Sequence, residues 1–459
     1  MTFWGALLVF ELLSGCAGLD PPDAGRRDAA PAKAAAVRRV DPGDAGPPDD
    51  SLLPGPTEPF APQVYAERRR RVMSELRTGV TVVFGADSVE DGRGDADFFW
   101  LTGLADDGMA LVLAPALRGD NEYLFLPNRD PETEAWAGYR MPLGAMLRQR
   151  TGFVEVHRRS RLGALVARLA ARFPTLHFLG PVAAPDAPPP PELSFLQDVA
   201  SRIPGAGIQP AYDLLPRMRS RHDAPEIEAH RKAMEITGEG LRAAMKAARA
   251  GMREFELKDV IEGAFRSKGS RRLAFPSIVG SGPNSAVLHY RRDDREIAAG
   301  ELVVCDVGAE WSHYAADLTR TIPVDGRFTD DQRAIYEVVL RAQEAAIARV
   351  RPGAIYRDDV HRTAQRVIEE AGYGDYFIHG TSHFIGLEVH DAGIYEEPLA
   401  PGQIISVEPG IYLPGRSMGV RIEDMVLVKE GGAEILSAGI PRTIAEIEAA
   451  MARGPGAAP

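Results

Sequence analysis

Short apolar runs that end on a single acid recur through the second half of the chain. Leu302, Val303 and Val304 lie between Gly300 and Gly308. They read as a buried strand, because an unbroken β-branched run of that length suits a strand covered on both faces. Asp306 stands at the end of that run, and a second short segment carries Asp317. The run before Glu408 ends in the same way, and Glu423 interrupts the run at 420–428, with Arg421 two residues earlier on the same strand face. Longer stretches between these follow a helical period. Asp223-Ala224-Pro225-Glu226 opens a helix with Asp223 as N-cap and a proline in the first turn; it extends to about Ala248, and Gly251 ends it. Residues 255–267, 329–349 and 357–370 read as further helices, the last two amphipathic.

Upstream, residues 60–216 alternate between the two periods. Helices are expected at 64–76 and 164–173, strands at 80–84, 109–113 and 123–126, and a proline-rich loop at 185–191. The run Arg68 to Arg71 reads as one charged face of the first helix. Before residue 60 the pattern is lost. Residues 17–59 are dominated by Ala, Pro, Asp and Gly, a composition with no core to bury, so a disordered linker is expected. Residues 1–16 hold an apolar run too short to span a bilayer, ending in Leu13-Ser14-Gly15-Cys16. That ending resembles a bacterial lipobox, although no Lys or Arg precedes the run and Glu11 falls inside it. A lipid anchor at Cys16 and export to the bacterial cell envelope, facing the periplasm, are expected; a cytoplasmic protein with an unstructured extension is the alternative.

Length and composition narrow the class. A chain of 459 residues accommodates two ordinary domains, and its 45% hydrophobic content and mean hydropathy of −0.17 fit a globular protein. A net charge of −12 without a basic patch argues against nucleic acid as a partner. With two cysteines, one of them in the leader, no disulfide framework is possible, and Cys305 reads as an inert core thiol.

The acids that end the apolar runs carry the chemistry. A carboxylate at the end of a buried strand costs several kcal/mol unless something pairs with it, and two side by side repel each other. A multivalent cation is the simplest compensation. Residues 379–391 add three of the ten histidines within thirteen positions, beside Gly380 and Gly386. Asp306, Asp317, His383, Glu408 and Glu423 together carry four negative charges and one imidazole. Two divalent cations would balance that set, and such donors suit Mn, Co, Zn or Fe(II).

These stretches resemble the signature blocks of the pita-bread metallopeptidases, the group of aminopeptidase P, prolidase and methionine aminopeptidase. The matching residues are Asp306 in CDVG, Asp317 in ADLTRT, His383 in TSHFIGLEVHD, Glu408 in VEPGIY and Glu423 in RIED. Phe98-Phe99-Trp100-Leu101-Thr102-Gly103, Asn128-Arg129-Asp130 and Trp136-Ala137-Gly138 resemble the amino-terminal domain of aminopeptidase P and creatinase. The resemblance implies an α/β fold of the α+β kind: an aminopeptidase P-like domain at 60–216, then a pita-bread catalytic domain at 222–455 with pseudo-twofold halves. It implies hydrolysis of the first peptide bond before a proline. Two divalent ions are implied, Mn2+ first and Co2+, Zn2+ or Fe2+ as alternatives. His383 and Glu408 would bind one ion, Asp306 the other, and Asp317 and Glu423 both. Glu408 is implied as general base, His390 as oxyanion partner, and His289 and His379 as proline-pocket and proton-guiding residues. Arg421 would orient Asp306 at the substrate site. Peptide substrates and a homodimer or homotetramer are also implied. Prolidase, methionine aminopeptidase (disfavoured by the extra domain) and a non-catalytic binding lipoprotein remain as alternatives.

Overall fold

The computed structural model describes residues 60–87, 94–140, 142–181, 184 and 186–452. The expected leader with Cys16, the linker at 17–59 and Pro185 of the proline-rich loop lie outside the described residues.

The first domain is built on a mixed six-stranded sheet. Its strands are β1 (Val80–Phe84), β2 (Ala110–Leu113), β3 (Glu122–Leu126), β4 (Glu155–Arg158), β5 (Thr175–Phe178) and β6 (Gly207–Pro210), in the order β4-β3-β2-β1-β5-β6. Strands β1 to β3 pair antiparallel, and β4, β5 and β6 join in parallel. Every residue of β1 is buried because helices cover both faces, which is why the run lacks polar alternation. Val80, Val82 and Phe84 pack toward Leu165, Val166 and Leu169 of the helix Leu162–Arg172. Val83, on the other face, joins Phe98, Phe99 and Leu101 in a core that continues to Ala229, Tyr314 and Leu387 of the second domain. The two domains therefore share apolar packing.

The expected charged face at 68–71 is corrected by this seam. Arg68 and Arg69 of the helix Pro62–Leu76 are fully buried. Arg68 donates to Asp223 at 2.9 Å and to the Trp100 carbonyl at 3.2 Å. Arg69 donates to Glu122 at 2.7 Å and to the Leu101 carbonyl at 2.8 Å. A guanidinium fork tolerates burial when carboxylates and free helix-end carbonyls meet it, and both are supplied here. Arg70 is the exposed member and pairs with Glu67.

The second domain opens as expected, with Asp223 and Glu226 forming a capping box on the helix Ala224–Ala247. The helix Glu254–Ser267 follows, then β7 (Ile278–Ser281), β8 (Leu302–Val307), a small hairpin of β9 (Glu310–Trp311) and β10 (Tyr314–Ala315), and β11 (Leu318–Pro323). Strands β11, β8 and β7 form an antiparallel sheet in that order. The order of two helices and then strands occurs again. Helices Asp330–Ile347 and Arg362–Glu370 precede β12 (Ile404–Val407), β13 (Gly410–Leu413), β14 (Met418–Arg421), β15 (Asp424–Lys429) and β16 (Gly432–Ile435). These form the sheets β12-β15-β16 and β13-β14. One apolar core joins both halves. The helix expected at 357–370 differs at its start, where Tyr356–His361 is a π turn. That widened turn carries His361 to Thr381, Nδ1 to Oγ1 2.9 Å, at the edge of the loop that holds His383.

Candidate metal centre and active-site cleft

Each acid is delivered by the end of a strand. In the β8–β11 ladder Thr319 pairs with Asp306, so Asp317, two residues earlier, projects from the same face as Thr319 toward the Asp306 side. Gly308 makes this approach possible. A Cβ there would fall 1.9 Å from the Ala316 carbonyl oxygen, so only glycine lets the returning segment fold beside β8. Glu408 follows β12, and the loop with His383 is stitched to that strand. The Ser406 amide donates to the His383 carbonyl at 2.9 Å, and the Glu408 amide to the Thr381 carbonyl at 2.8 Å. Glu423 lies between β14 and β15, its amide 3.2 Å from the Thr319 carbonyl. Arg421 and Glu423 were expected on one strand face. Instead Arg421 ends β14 and Glu423 lies in the link to β15, outside any strand, and both residues line the same cleft.

The resulting cluster is tight and short of positive charge. His383 Nε2 lies 3.2 Å from Glu408 Oε1 and 3.4 Å from Asp317 Oδ2. Ligand atoms of Asp317, His383 and Glu423 fall within 4.8 Å of one another. Asp306 Oδ1, Asp317 Oδ1 and Glu423 Oε1 are buried and have no hydrogen-bond partner. Each such orphan costs about 1–3 kcal/mol, and more for a charged group. Burial pushes the Asp317 carboxyl up to about 7; the Asp306 charge adds to this and the His383 hydrogen bond opposes it. Burial, with the charges of Asp317 and Glu408, holds Glu423 well above its ordinary value. His383 is also raised, because its contacts to Asp317 and Glu408 outweigh burial. Protons thus stand where positive charge is needed. The His383 Nδ1 faces the Phe384 carbonyl at 3.2 Å, so that once a cation displaces the Nε2 proton the lone pair is left on Nε2. Carboxylates, one imidazole and three open oxygens fit divalent cations.

All nine residues singled out in the sequence line one cleft of about 440 Å³. They are Asp306, Asp317, His383, Glu408, Glu423, His289, His379, His390 and Arg421. Larger hollows occur, but the one of about 690 Å³ beside Arg249 and Asp325 contains none of them. Arg421 Nη2 donates to Asp306 Oδ2 at 2.7 Å. Arg421 Nε donates to Thr319 Oγ1 at 3.2 Å, and Thr319 donates to Glu423 Oε2 at 2.9 Å. Arg421 Nη1 donates to the Tyr412 hydroxyl at 3.0 Å, which lies 2.9 Å from His379 Nε2. His390 stacks on His383 with ring centroids 4.0 Å apart. Gly386 permits this turn, since a Cβ would fall 1.7 Å from Asp391 Oδ2. Burial and the neighbouring His383 lower His390, which keeps it neutral. His289 sits exposed on the cleft wall.

Three partners were not singled out in the sequence: Thr319, Ser406 and Tyr412. Thr319 and Ser406 stand two positions from Asp317 and Glu408, so the same-face rule for extended chain would have found them. Cys305 is buried, and its thiol is pushed up to about 12 by burial and the Asp306 charge, which excludes it as a nucleophile.

The chain is similar to known proteins over both domains. Residues 228–430 match metallopeptidase family M24, and residues 65–177 match the aminopeptidase P, N-terminal domain. An Xaa-Pro aminopeptidase of Haemophilus influenzae is 30% identical over 427 residues, covering 84% of this chain and 96% of that protein. An Xaa-Pro dipeptidase of Pyrococcus furiosus is 41% identical over 229 residues, covering 49% of this chain and 65% of that protein. The zinc-substituted aminopeptidase P of E. coli in complex with product superposes with a TM-score of 0.75 at 28% identity, covering 85% of this chain and 98% of that one.

Proposed function

The chain belongs to metallopeptidase family M24 and is a metal-dependent peptide hydrolase, and we propose that it removes the first residue from peptides with proline in second position, using two divalent cations. The observation that carries this reading is the set of three partnerless buried carboxylate oxygens around His383 in one cleft. The likeness to aminopeptidases extends through both domains, whereas the dipeptidase match covers about half of the chain, which favours aminopeptidase over prolidase.

Asp306 would hold one ion and His383 with Glu408 the other, with Asp317 and Glu423 shared between them; Mn2+ is proposed first, with Co2+, Zn2+ or Fe2+ as alternatives. When bound, the cations supply Lewis acidity toward water and toward a carbonyl oxygen. The chain's own residues supply the rest. In the metal-free chain burial would raise Glu408, but the His383 hydrogen bond and charge hold it below its ordinary value; its place in the cleft, 3.2 Å from His383 Nε2, supports it as the carboxylate that accepts a proton from water. The nitrogen of an Xaa-Pro bond has no hydrogen, so it must gain one to leave, and Glu408 is the proposed donor. Neutral His390 supports a hydrogen bond to the carbonyl oxygen as charge develops there. Phe275, Ile278, Leu288 and Val389 give the cleft apolar wall for a proline ring. His289 and His379 are proposed to shape that pocket and guide protons, and Arg421 to hold Asp306 in register.

Mass spectrometry of products from the Mn(II)-loaded protein tests the reading. The mixture would contain an Xaa-Pro dipeptide, an Xaa-Pro-initiated nonapeptide and a Met-Ala-initiated peptide. Loss of the first residue from the nonapeptide is expected. Cleavage of the dipeptide alone would make the enzyme a prolidase, and cleavage of Met-Ala would overturn the proline assignment. Export and lipidation at Cys16 are proposed from the leader alone, and Cys16→Ala should abolish palmitate labelling. A dimer or tetramer is proposed from the family resemblance. Among the described residues no helix is long and apolar enough to cross a membrane.

A further inference from the structure

We propose that Arg291 anchors a substrate carboxylate on the leaving-group side of the cleft, so that peptides with negative charge beyond the proline are preferred. The inference rests on the aminopeptidase reading and adds a specificity residue to it. Arg291 lines the same cleft as the acid cluster and is exposed. The charged residues at 292–295 are engaged. Arg292 pairs with Asp294 at 2.9 Å, Lys258 with Asp293 at 2.8 Å, and Arg295 with Glu301 at 2.6 Å. Arg291 alone among the arginines and aspartates of this loop has no ion pair or hydrogen bond among the described residues. The other arginine of the cleft, Arg421, is consumed by Asp306, Thr319 and Tyr412. The cleft lining therefore includes one exposed arginine whose guanidinium has no partner among the described residues.

The polarity of a peptide fixes which end it meets. The ammonium of the substrate is attracted to the acid cluster and repelled by a guanidinium, so Arg291 belongs to the opposite, carboxyl-terminal side. A planar fork of donors matches a carboxylate in two parallel hydrogen bonds. The carboxylate is either an acidic side chain in third position or the terminus of a very short peptide.

The test measures kcat/KM of the Mn(II)-loaded full chain on Ala-Pro-Glu-Ala-Ala-amide and its Lys counterpart, and on Ala-Pro and Ala-Pro-amide. The wild type should prefer the anionic member of at least one pair by about tenfold, the size of one charge-assisted contact at an exposed site. Arg291→Glu should reverse that preference, and Arg291→Ala should bring the ratio near one. A response confined to the pentapeptides assigns the side-chain source, and one confined to the dipeptides assigns the chain terminus. Ratios that do not change with the residue at 291 overturn the inference while leaving the aminopeptidase reading intact. Failure of the wild type to cleave any Xaa-Pro peptide overturns that reading, and the inference falls with it.

Discussion

Glu423 and Asp424 are adjacent, both are buried, and the protein treats them in opposite ways. Asp424 Oδ1 accepts from Arg320 at 2.8 Å and from Ser437 at 2.5 Å, and Oδ2 accepts from Gln343 and from Arg442, each at 3.1 Å. Glu423 Oε2 accepts one hydrogen bond, from Thr319, and Oε1 accepts none. Successive side chains on extended chain point to opposite faces, so one acid enters the packed side of the sheet and the other the cleft. The chain is evidently able to satisfy a buried carboxylate at this depth. Leaving three carboxylate oxygens open on the cleft side, one position away, marks a place where the missing partner is not a side chain.

The largest expected effects separate the two acids by kind. Glu423→Gln should lower kcat/KM on the order of 10³-fold or more, several kcal/mol of transition-state stabilisation, while thermal unfolding of the metal-free protein stays where it was or rises. Asp424→Ala should instead destabilise the fold by about 3–5 kcal/mol, because it strands the fully buried Arg320. Equal loss of stability in both variants, measured by thermal and denaturant melts, would erase the distinction.

The second effect is on pH dependence. Asp317 titrates near 7 in the folded chain against an ordinary 3.8, and His383 lies above its ordinary 6.5. Both shifts mean that the folded, metal-free protein binds more protons than the unfolded chain. Its stability should therefore fall as pH rises from about 6.5 to about 8, above the range in which the lowered imidazoles of His230, His379 and His390 contribute in the opposite sense. Glu408, held low, affects this balance only below its ordinary 4.5. Melting curves of chelator-stripped protein should show the decline, and added Mn(II) should flatten it, since the ions displace the protons. A metal-free stability that rises through neutral pH would contradict the picture of an acid cluster short of positive charge.

Smaller effects sharpen the boundary of the cluster. Thr319→Val removes the hydroxyl that links Arg421 to Glu423, and should weaken metal affinity or activity by roughly 10–100-fold. Tyr412→Phe removes one hydroxyl between Arg421 and His379, and about 1 kcal/mol, or a fewfold loss in kcat/KM, is expected.

The same contrast explains what could be read from the chain before its structure. Asp306 and Glu408 were legible because an acid at the end of an apolar run is out of place in any buried strand. The Asp223 cap and the helix after it were legible because capping is local. Arg68 and Arg69 were misread, since their partners Asp223 and Glu122 are distant in sequence and a solvated face is the ordinary fate of an arginine run. The π turn at Tyr356–His361 and the break after Arg421 that splits the run into β14 and β15 of different sheets depend on tertiary contacts that no periodicity encodes. Asp424 shows the limit most clearly. It adjoins Glu423 in an apolar stretch, and only the positions of Arg320, Gln343 and Arg442 reveal that its charge is already met.

The central claim is that divalent cations complete the open carboxylates and that this completion drives peptide hydrolysis. Titration of Mn(II) into chelator-stripped wild type, with release of the first residue from an Xaa-Pro-initiated peptide followed in parallel, tests it most directly. Activity should start at background and saturate as bound metal approaches two equivalents per chain. Full activity in the stripped protein, or saturable binding that leaves hydrolysis unchanged, would contradict it.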